Sequence, residues 1–299
     1  MANVNALLKQ LHDELLPDPR RVATAQDFAN RLVADLQSRS GQFLVRQQIP
    51  IGSIARGTAL RGFDDLDLLL LLDRGALAGG DDPQPRQVIR ELAAWLRHIR
   101  AGVVALRGVT VRAQNHSVGV IYRGQGFRLD LVPALRRRGQ QHFHIPRRSE
   151  DGWIPTRPEH FEREVAQYLP RFRHAMRLLK GWQRARGPRR GWSMPGYAIE
   201  LLVLAHADGR TVLDAFRSTL GAIAHPDARA RLQLCGEGTD AVVINEPWTG
   251  DNLTAGIDWP GRQKLTRAAR DALAVLDEAA EATPVVAERA LRRLVVNAA

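Results

Sequence analysis

Apolar residues recur every three or four positions over residues 2–16 and again over 24–39, where Phe28, Leu32, Val33 and Leu36 share one face. This spacing predicts two amphipathic helices, separated at Pro17-Asp18-Pro19. Residues 43–48 make a short apolar approach to Gly52-Ser53, and Arg56-Gly57-Thr58 then leads to Asp65-Leu66-Asp67 and a run of five leucines, which reads as a strand. A polar Gly/Pro loop is expected over 79–85, followed by a helix over 86–100 marked by Val88, Leu92, Trp95 and Ile99. The β-branched, alternating stretches 103–113 and 117–122 predict two strands. Gly124, Gln125 and Gly126 then turn the chain into a third strand over 127–132.

Beyond Pro133 the pattern becomes helical. Arg136, Arg137 and Arg138 and the segment from His142 to Pro146 are expected to form a loop leading to a capping box, in which Thr156 and Glu159 satisfy the first N–H groups of a helix. That helix is expected to run from Glu159 to about Arg186, with a kink or break at Pro170. A basic loop over 187–191 separates it from an apolar helix over 195–207, and 212–220 forms another helix. A short extended piece at 242–245 precedes a Pro/Gly/Asn-rich loop ending near Gly256. Helices over 259–281 and 284–296 close the chain, the last with Thr283 as N-cap and Pro284 at N1.

Charge adds a candidate partner class. The chain carries 43 Lys and Arg against 32 Asp and Glu, a net +11 over 299 residues, which favours polyanions such as nucleotides or nucleic acid. Over residues 136–190 there are 15 Lys or Arg against 5 Asp or Glu; a solvated Arg-rich surface and an RNA or phosphate surface both fit this excess. The single cysteine, Cys235, excludes a disulfide framework and a multi-cysteine zinc site and is compatible with a reducing cytosol, so a cytoplasmic location is expected. Residues 1–16 carry Asp13 and Glu14 within their amphipathic pattern and have no basic region ahead of an apolar core, so no signal peptide is expected. The longest apolar run, 68–72, is far short of the roughly 20 residues that span a bilayer.

The candidate chemistry lies between Ile51 and Asp73. Gly52-Ser53 opens a small-residue loop whose backbone N–H groups and hydroxyl suit phosphate. Asp65 and Asp67 are two apart on a strand and so point the same way. Two carboxylates on one face suit Mg²⁺, which leaves coordination positions for water and substrate phosphates. Asp130 shares a face with Arg128 and Val132, while Phe127, Leu129 and Leu131 point to the core. With Asp130 on a strand paired to the first, the three carboxylates read as one metal site. Asp64 alternates away and is a bystander in this reading, and His116, His142 and His144 receive no role.

These residues together resemble the oligoadenylate synthase and cGAS/DncV-like nucleotidyltransferases (CD-NTases) of the polymerase β-like superfamily, with features of bacterial members. Gly52, Ser53, Gly57, Thr58, Asp65 and Asp67 fill the family's Gly-Ser, Gly-Thr and D-x-D places. Asp130 precedes Val132-Pro133-Ala134, as the third family carboxylate does. Lys180-Gly181-Trp182 is similar to the Lys-x-Trp whose lysine contacts the donor triphosphate, which implies that role for Lys180. The segment from Pro195 to Leu202 is similar to one whose Gln and Tyr lie near the donor nucleotide. Tyr197 therefore carries over as a nucleotide contact, and Gly196 replaces the glutamine. Asn245 to Gly256 is similar to a late family loop.

The resemblance implies an α+β, bilobed polymerase β-like fold: a mixed β-sheet core with helices, a helical C-terminal lobe and an active site in the cleft between them. It divides the chain into a nucleotidyltransferase core with N-terminal helices over 1–155 and a helical domain over 156–299. The implied reaction joins ATP, or other NTPs, into a short cyclic or linear oligonucleotide second messenger with release of pyrophosphate, in antiviral defence. Asp65 and Asp67 would bridge two Mg²⁺ ions, with Mn²⁺ as a substitute, and Asp130 would hold the one next to the attacking hydroxyl. Gly52, Ser53 and Lys180 would hold the triphosphate; from its place in the loop, Arg56 reads either as a second charge on the phosphates or as a solvated arginine. Double-stranded RNA is a candidate activator through the basic surface. The alternatives are a template-independent transferase acting on RNA ends or small molecules, and a catalytically silent RNA-binding sensor.

Overall fold

The computed structural model describes residues 2–39, 43, 45–73, 83–136, 140–147, 152–157, 170–190, 192–225, 244, 250 and 252–296. In chain order the elements are α1 (Val4–Glu14), α2 (Pro19–Gln37), β1 (Val45–Ile51), the single turn α3 (Gly52–Ala55), β2 (Asp65–Leu72), α4 (Pro85–Ile99), β3 (Thr110–Ala113), β4 (Val118–Tyr122), β5 (Phe127–Arg136), β6 (Phe143–Pro146) and β7 (Trp153–Thr156). The helices α5 (Pro170–Arg190), α6 (Gly196–His206), α7 (Val212–Ala224), α8 (Trp259–Glu281) and α9 (Pro284–Val295) follow. No helix of the described residues is long and apolar enough to cross a membrane.

The chain divides into two compact units. One comprises Pro17–Gly57 and Gly62–Glu164, the other Met1–Leu16, Thr58–Arg61 and Val165–Ala299. The first is built on a mixed sheet of order β1-β2-β5-β4-β3, extended by β6 and β7 beyond β5. Strands β2 and β5 run parallel, with Asp65 beside Arg128 and Asp67 beside Asp130, and the other pairs are antiparallel. The leucine run is explained by burial on both faces. Leu66, Leu68, Leu70 and Leu72 enter the main core with α2 and α4, while Leu69 and Leu71 pack on the other face with Ile49, Ala134 and Phe143. Side chains alternate, so Asp65, Asp67 and Asp130 stand on the face of the smaller cluster.

Several sequence expectations for this unit change. Val103 is extended and residues 104–106 form a tight 3₁₀ turn rather than a strand, because Val103, Ala105 and Leu106 turn into the core and leave Val104 69% exposed. Only Thr110–Ala113 pairs as a strand. The segment from His142 to Pro146, expected as a loop, supplies β6, and Trp153–Thr156 pairs with it as β7. Helix α2 begins at Pro19, five residues before the expected start, with Asp18 accepting from the Arg20 N–H as its cap. Gly52-Ser53 lies in one helical turn rather than an open loop.

The second unit is helical. Residues 1–16 pack here through Leu8, Leu11 and Leu15, and not with the sheet that follows them in sequence. Helix α5 continues through 187–190, expected as a loop. Helices α6, α8 and α9 lie within a residue of their expected bounds, although Thr283 makes no side-chain cap hydrogen bond. Gly181 of α5 is required by close packing: a Cβ there would come within 2.7 Å of the Val295 carbonyl and 2.9 Å of Leu15. Thr156, the expected cap, is the last residue of β7; its capping-box partner Glu159, the helix ahead of Pro170, Cys235, the extended piece at 242–245 apart from Ile244, and Arg137 and Arg138 lie outside the described residues. So do parts of the 79–85 and 245–256 loops.

Candidate active site

The parallel register between β2 and β5 brings the three carboxylates together. One ligand oxygen each of Asp65, Asp67 and Asp130 lies within 4.8 Å of the others, a donor set that suits a divalent cation. Asp65 and Asp67 are partly exposed, whereas Asp130 is buried. Burial raises the Asp65 pKa, the Asp64 and Asp130 charges add to the shift, and Arg128 opposes it. Asp64 itself is exposed. Its influence on the site is therefore its charge, a contribution that reading it as a bystander leaves out.

Two further residues hold this constellation. Arg128 Nε donates to both oxygens of Asp130 at 3.0 Å, and its Nη2 reaches Asp65 Oδ2 at 3.3 Å. Gln114, in the turn between β3 and β4, donates from Nε2 to Asp130 Oδ1 at 3.0 Å and accepts from Ser117 at 3.1 Å. Gly119 faces Asp130 across the β4–β5 ladder. A Cβ at Gly119 would sit 2.4 Å from Gln114 Nε2, so glycine leaves room for the Gln114–Asp130 bond. The shared face with Asp130 makes Arg128 visible in sequence; Gln114 carries no periodic or motif signal of this contact.

The phosphate-loop candidates sit beside the triad. Ile51 pairs with Asp67, so α3 starts next to that carboxylate. Gly52 adopts φ +79°, and a Cβ there would lie 2.0 Å from Asp67 Oδ2; the position requires glycine for both backbone and space. Ser53 and Arg56 are partly exposed within and just after this turn.

Lys180 and Tyr197 belong to the helical unit. Lys180 Nζ lies 2.5 Å from Glu200 Oε1 and donates to the Thr58 carbonyl at 3.2 Å and hydroxyl at 3.0 Å. The Thr58 hydroxyl also donates to Glu200 Oε1, at 2.5 Å. Glu200, the acidic residue of α6, is completely buried, and Lys180 is its countercharge. A Cβ at Gly196 would contact Lys180 Cε at 3.4 Å, and the partly exposed Tyr197 follows it. The neighbouring face of α5 also grips the segment after Thr58, with Arg177 donating to the Ala59 carbonyl and Arg184 to that of Arg61.

The family model of the Second Messenger Oligonucleotide or Dinucleotide Synthetase (SMODS) domain matches residues 1–168, more than half of the chain. The chain belongs to this family. This SMODS protein, and thus a CD-NTase, is 30% identical over 196 residues to the cyclic AMP-AMP-AMP synthase of Escherichia coli (strain MS 115-1). The match covers 60% of this chain and spans 57% of that enzyme, little more than half its length. Among solved structures, E. coli MS115-1 CdnC with ATP superposes with a TM-score of 0.76 over 97% of both chains at 22% identity. The Bradyrhizobium diazoefficiens CD-NTase CdnG in complex with GTP gives 0.69 over 98% of both chains at 17% identity. At these identities the structures establish the fold, the mixed α+β arrangement of the polymerase β-like enzymes.

Proposed function

We propose that this protein is a Mg²⁺-dependent nucleotidyltransferase that joins ATP, alone or with other NTPs, into a short cyclic or linear oligonucleotide second messenger serving antiviral defence. The observation that carries this reading is the convergence of Asp65, Asp67 and Asp130 on one sheet face, beside a glycine-dependent turn and within a SMODS family chain. The cyclic AMP-AMP-AMP synthase relative supports an adenine nucleotide product.

A ribose hydroxyl attacks the α-phosphate of a bound triphosphate in line and gives up its proton to solvent, the bond to the β-phosphate oxygen breaks, and pyrophosphate leaves. Bound Mg²⁺, or Mn²⁺ in its place, supplies Lewis-acid stabilisation of the entering and leaving oxygens. Asp65, Asp67 and Asp130 would hold the ions, and Gln114 orients Asp130 through its bond to Oδ1. Gly52, Ser53 and Arg56 would receive phosphate oxygens beside Asp67. Lys180 would contribute charge to the triphosphate, and Tyr197 a surface for a base.

Incubating the protein with labelled NTPs and Mg²⁺, and resolving products after phosphatase and a 3′-5′-specific nuclease, tests the reading. Discrete short oligomers support it. A ladder built on added RNA ends would identify a template-independent end transferase instead, and a protein that consumes no nucleotide would match a silent sensor. Activation by double-stranded RNA belongs to the same proposal and rests on the basic composition of residues 136–190. Stimulation and RNA affinity should fall steeply with salt; salt-independent behaviour contradicts it.

A further inference from the structure

Arg128 is a cation in direct contact with the carboxylates, and the reaction gives it no step. Its backbone lies beside Asp65 in the β2–β5 ladder and it precedes Asp130 by two residues, so it shares their face. Its guanidinium touches both oxygens of Asp130 and one of Asp65. With Gln114 also donating to Asp130 Oδ1, the two lone pairs of that oxygen both have donors, and Oδ2 keeps one. A cation that ligates Asp65 and Asp130 must therefore share or replace contacts that a positive side chain already makes.

We propose that Arg128 is a built-in counter-cation that competes with divalent metal for Asp65 and Asp130, so that metal loads together with the nucleotide rather than ahead of it. The inference rests on reading the triad as a metal site. Three clustered carboxylates repel one another, and a guanidinium among them stabilises the metal-free site without completing it. A metal ion entering alone must displace the Arg128–Asp65 contact and work against the repulsion of a nearby positive charge. A metal ion entering with a triphosphate meets added negative charge, and the released guanidinium gains phosphate oxygens that suit its planar fork. Arg128 acts here as a positioning residue for the ligand set.

Mn²⁺ binding to the full chain, measured by electron paramagnetic resonance of the free ion, tests this with and without ATP. Without nucleotide, Arg128→Gln should bind Mn²⁺ about tenfold more tightly than wild type, the effect expected from removing a positive charge at hydrogen-bond range. Arg128→Lys, which keeps the charge and loses the fork, should fall between them. In wild type ATP should tighten Mn²⁺ binding more than it does in Arg128→Gln. Equal or weaker Mn²⁺ affinity in Arg128→Gln overturns the proposal alone, provided that Asp130→Asn weakens binding. If Asp130→Asn binds Mn²⁺ as wild type does even with ATP present, the metal-site reading falls and the proposal with it. Should Arg128→Gln not fold, the ¹⁵Nε resonance of Arg128 in wild-type protein decides. Displacement of that resonance in step with the Asp130 amide during a Mg²⁺ titration supports the exchange, and an unmoved resonance at Mg²⁺ saturation overturns it.

Discussion

Replacing Glu200 by glutamine isolates one charge in the helical unit. Glu200 is completely buried and the Lys180 side chain is 10% exposed, so the pair is shielded from water. In the variant the amide oxygen can still accept from Lys180 and Thr58, but the ammonium loses its countercharge. Removing one member of a buried pair costs about 3–5 kcal/mol, and the near-isosteric amide places this case near about 3. For a cooperative unit of roughly 150–250 residues, each kcal/mol lowers the melting temperature by about 2–4 °C, so a fall of about 6–12 °C is expected. Circular dichroism melts at neutral pH read this directly. The double change Lys180→Met with Glu200→Leu removes both charges and should recover much of the loss. A Glu200→Gln melt within about 2 °C of wild type, or a double variant less stable than the single, would show that the buried Lys180–Glu200 charges do not depend on each other.

Acid should destabilise the helical unit through His12. The ring is buried, packs at a tilt against His174 with 3.8 Å between ring centroids, donates from Nδ1 to Asp13 and accepts at Nε2 from Arg177 Nη1. Burial chiefly, with the nearby positive groups, lowers its pKa from 6.5 to about 4, against the raising effect of Asp13. The unfolded chain thus takes the proton first: stability from this group is complete above about pH 6.5 and is lost as pH falls towards 4, approaching about 3 kcal/mol. Denaturant titrations at pH 7.5 and 4.5 should show a smaller difference in His12→Gln than in wild type; an equal difference contradicts the assignment. Gly52→Ala should lower nucleotidyl transfer by about 100-fold or more, because its Cβ would displace Asp67. Its left-handed backbone conformation should add only about 1–2 kcal/mol of destabilisation. A wild-type rate in that variant would show that the turn does not constrain the site.

What could be read from sequence follows from how local each determinant is. The D-x-D strand, the face of Asp130 and the helices over 259–281 and 284–295 depend on alternation, helical spacing and an N1 proline, all contained in one segment. The same Asp-Pro signal at residues 18–19 starts α2, although the apolar periodicity becomes clear only further on. Residues 103–106 have β-branched character, but burial of Val103 and Leu106 overrides it. Gln114 and Glu200 acquire their roles from partners 16 and 142 residues away, contacts that no local pattern encodes.

In the proposed function Asp65, Asp67 and Asp130 act as one catalytic metal site. Pyrophosphate release from ATP with Mg²⁺, measured for wild type and for Asp65→Asn, Asp67→Asn and Asp130→Asn at matched folding, tests it most directly. Wild type should turn over and each variant should lose turnover; variants that release pyrophosphate at the wild-type rate would show that the three carboxylates are not the catalytic metal site.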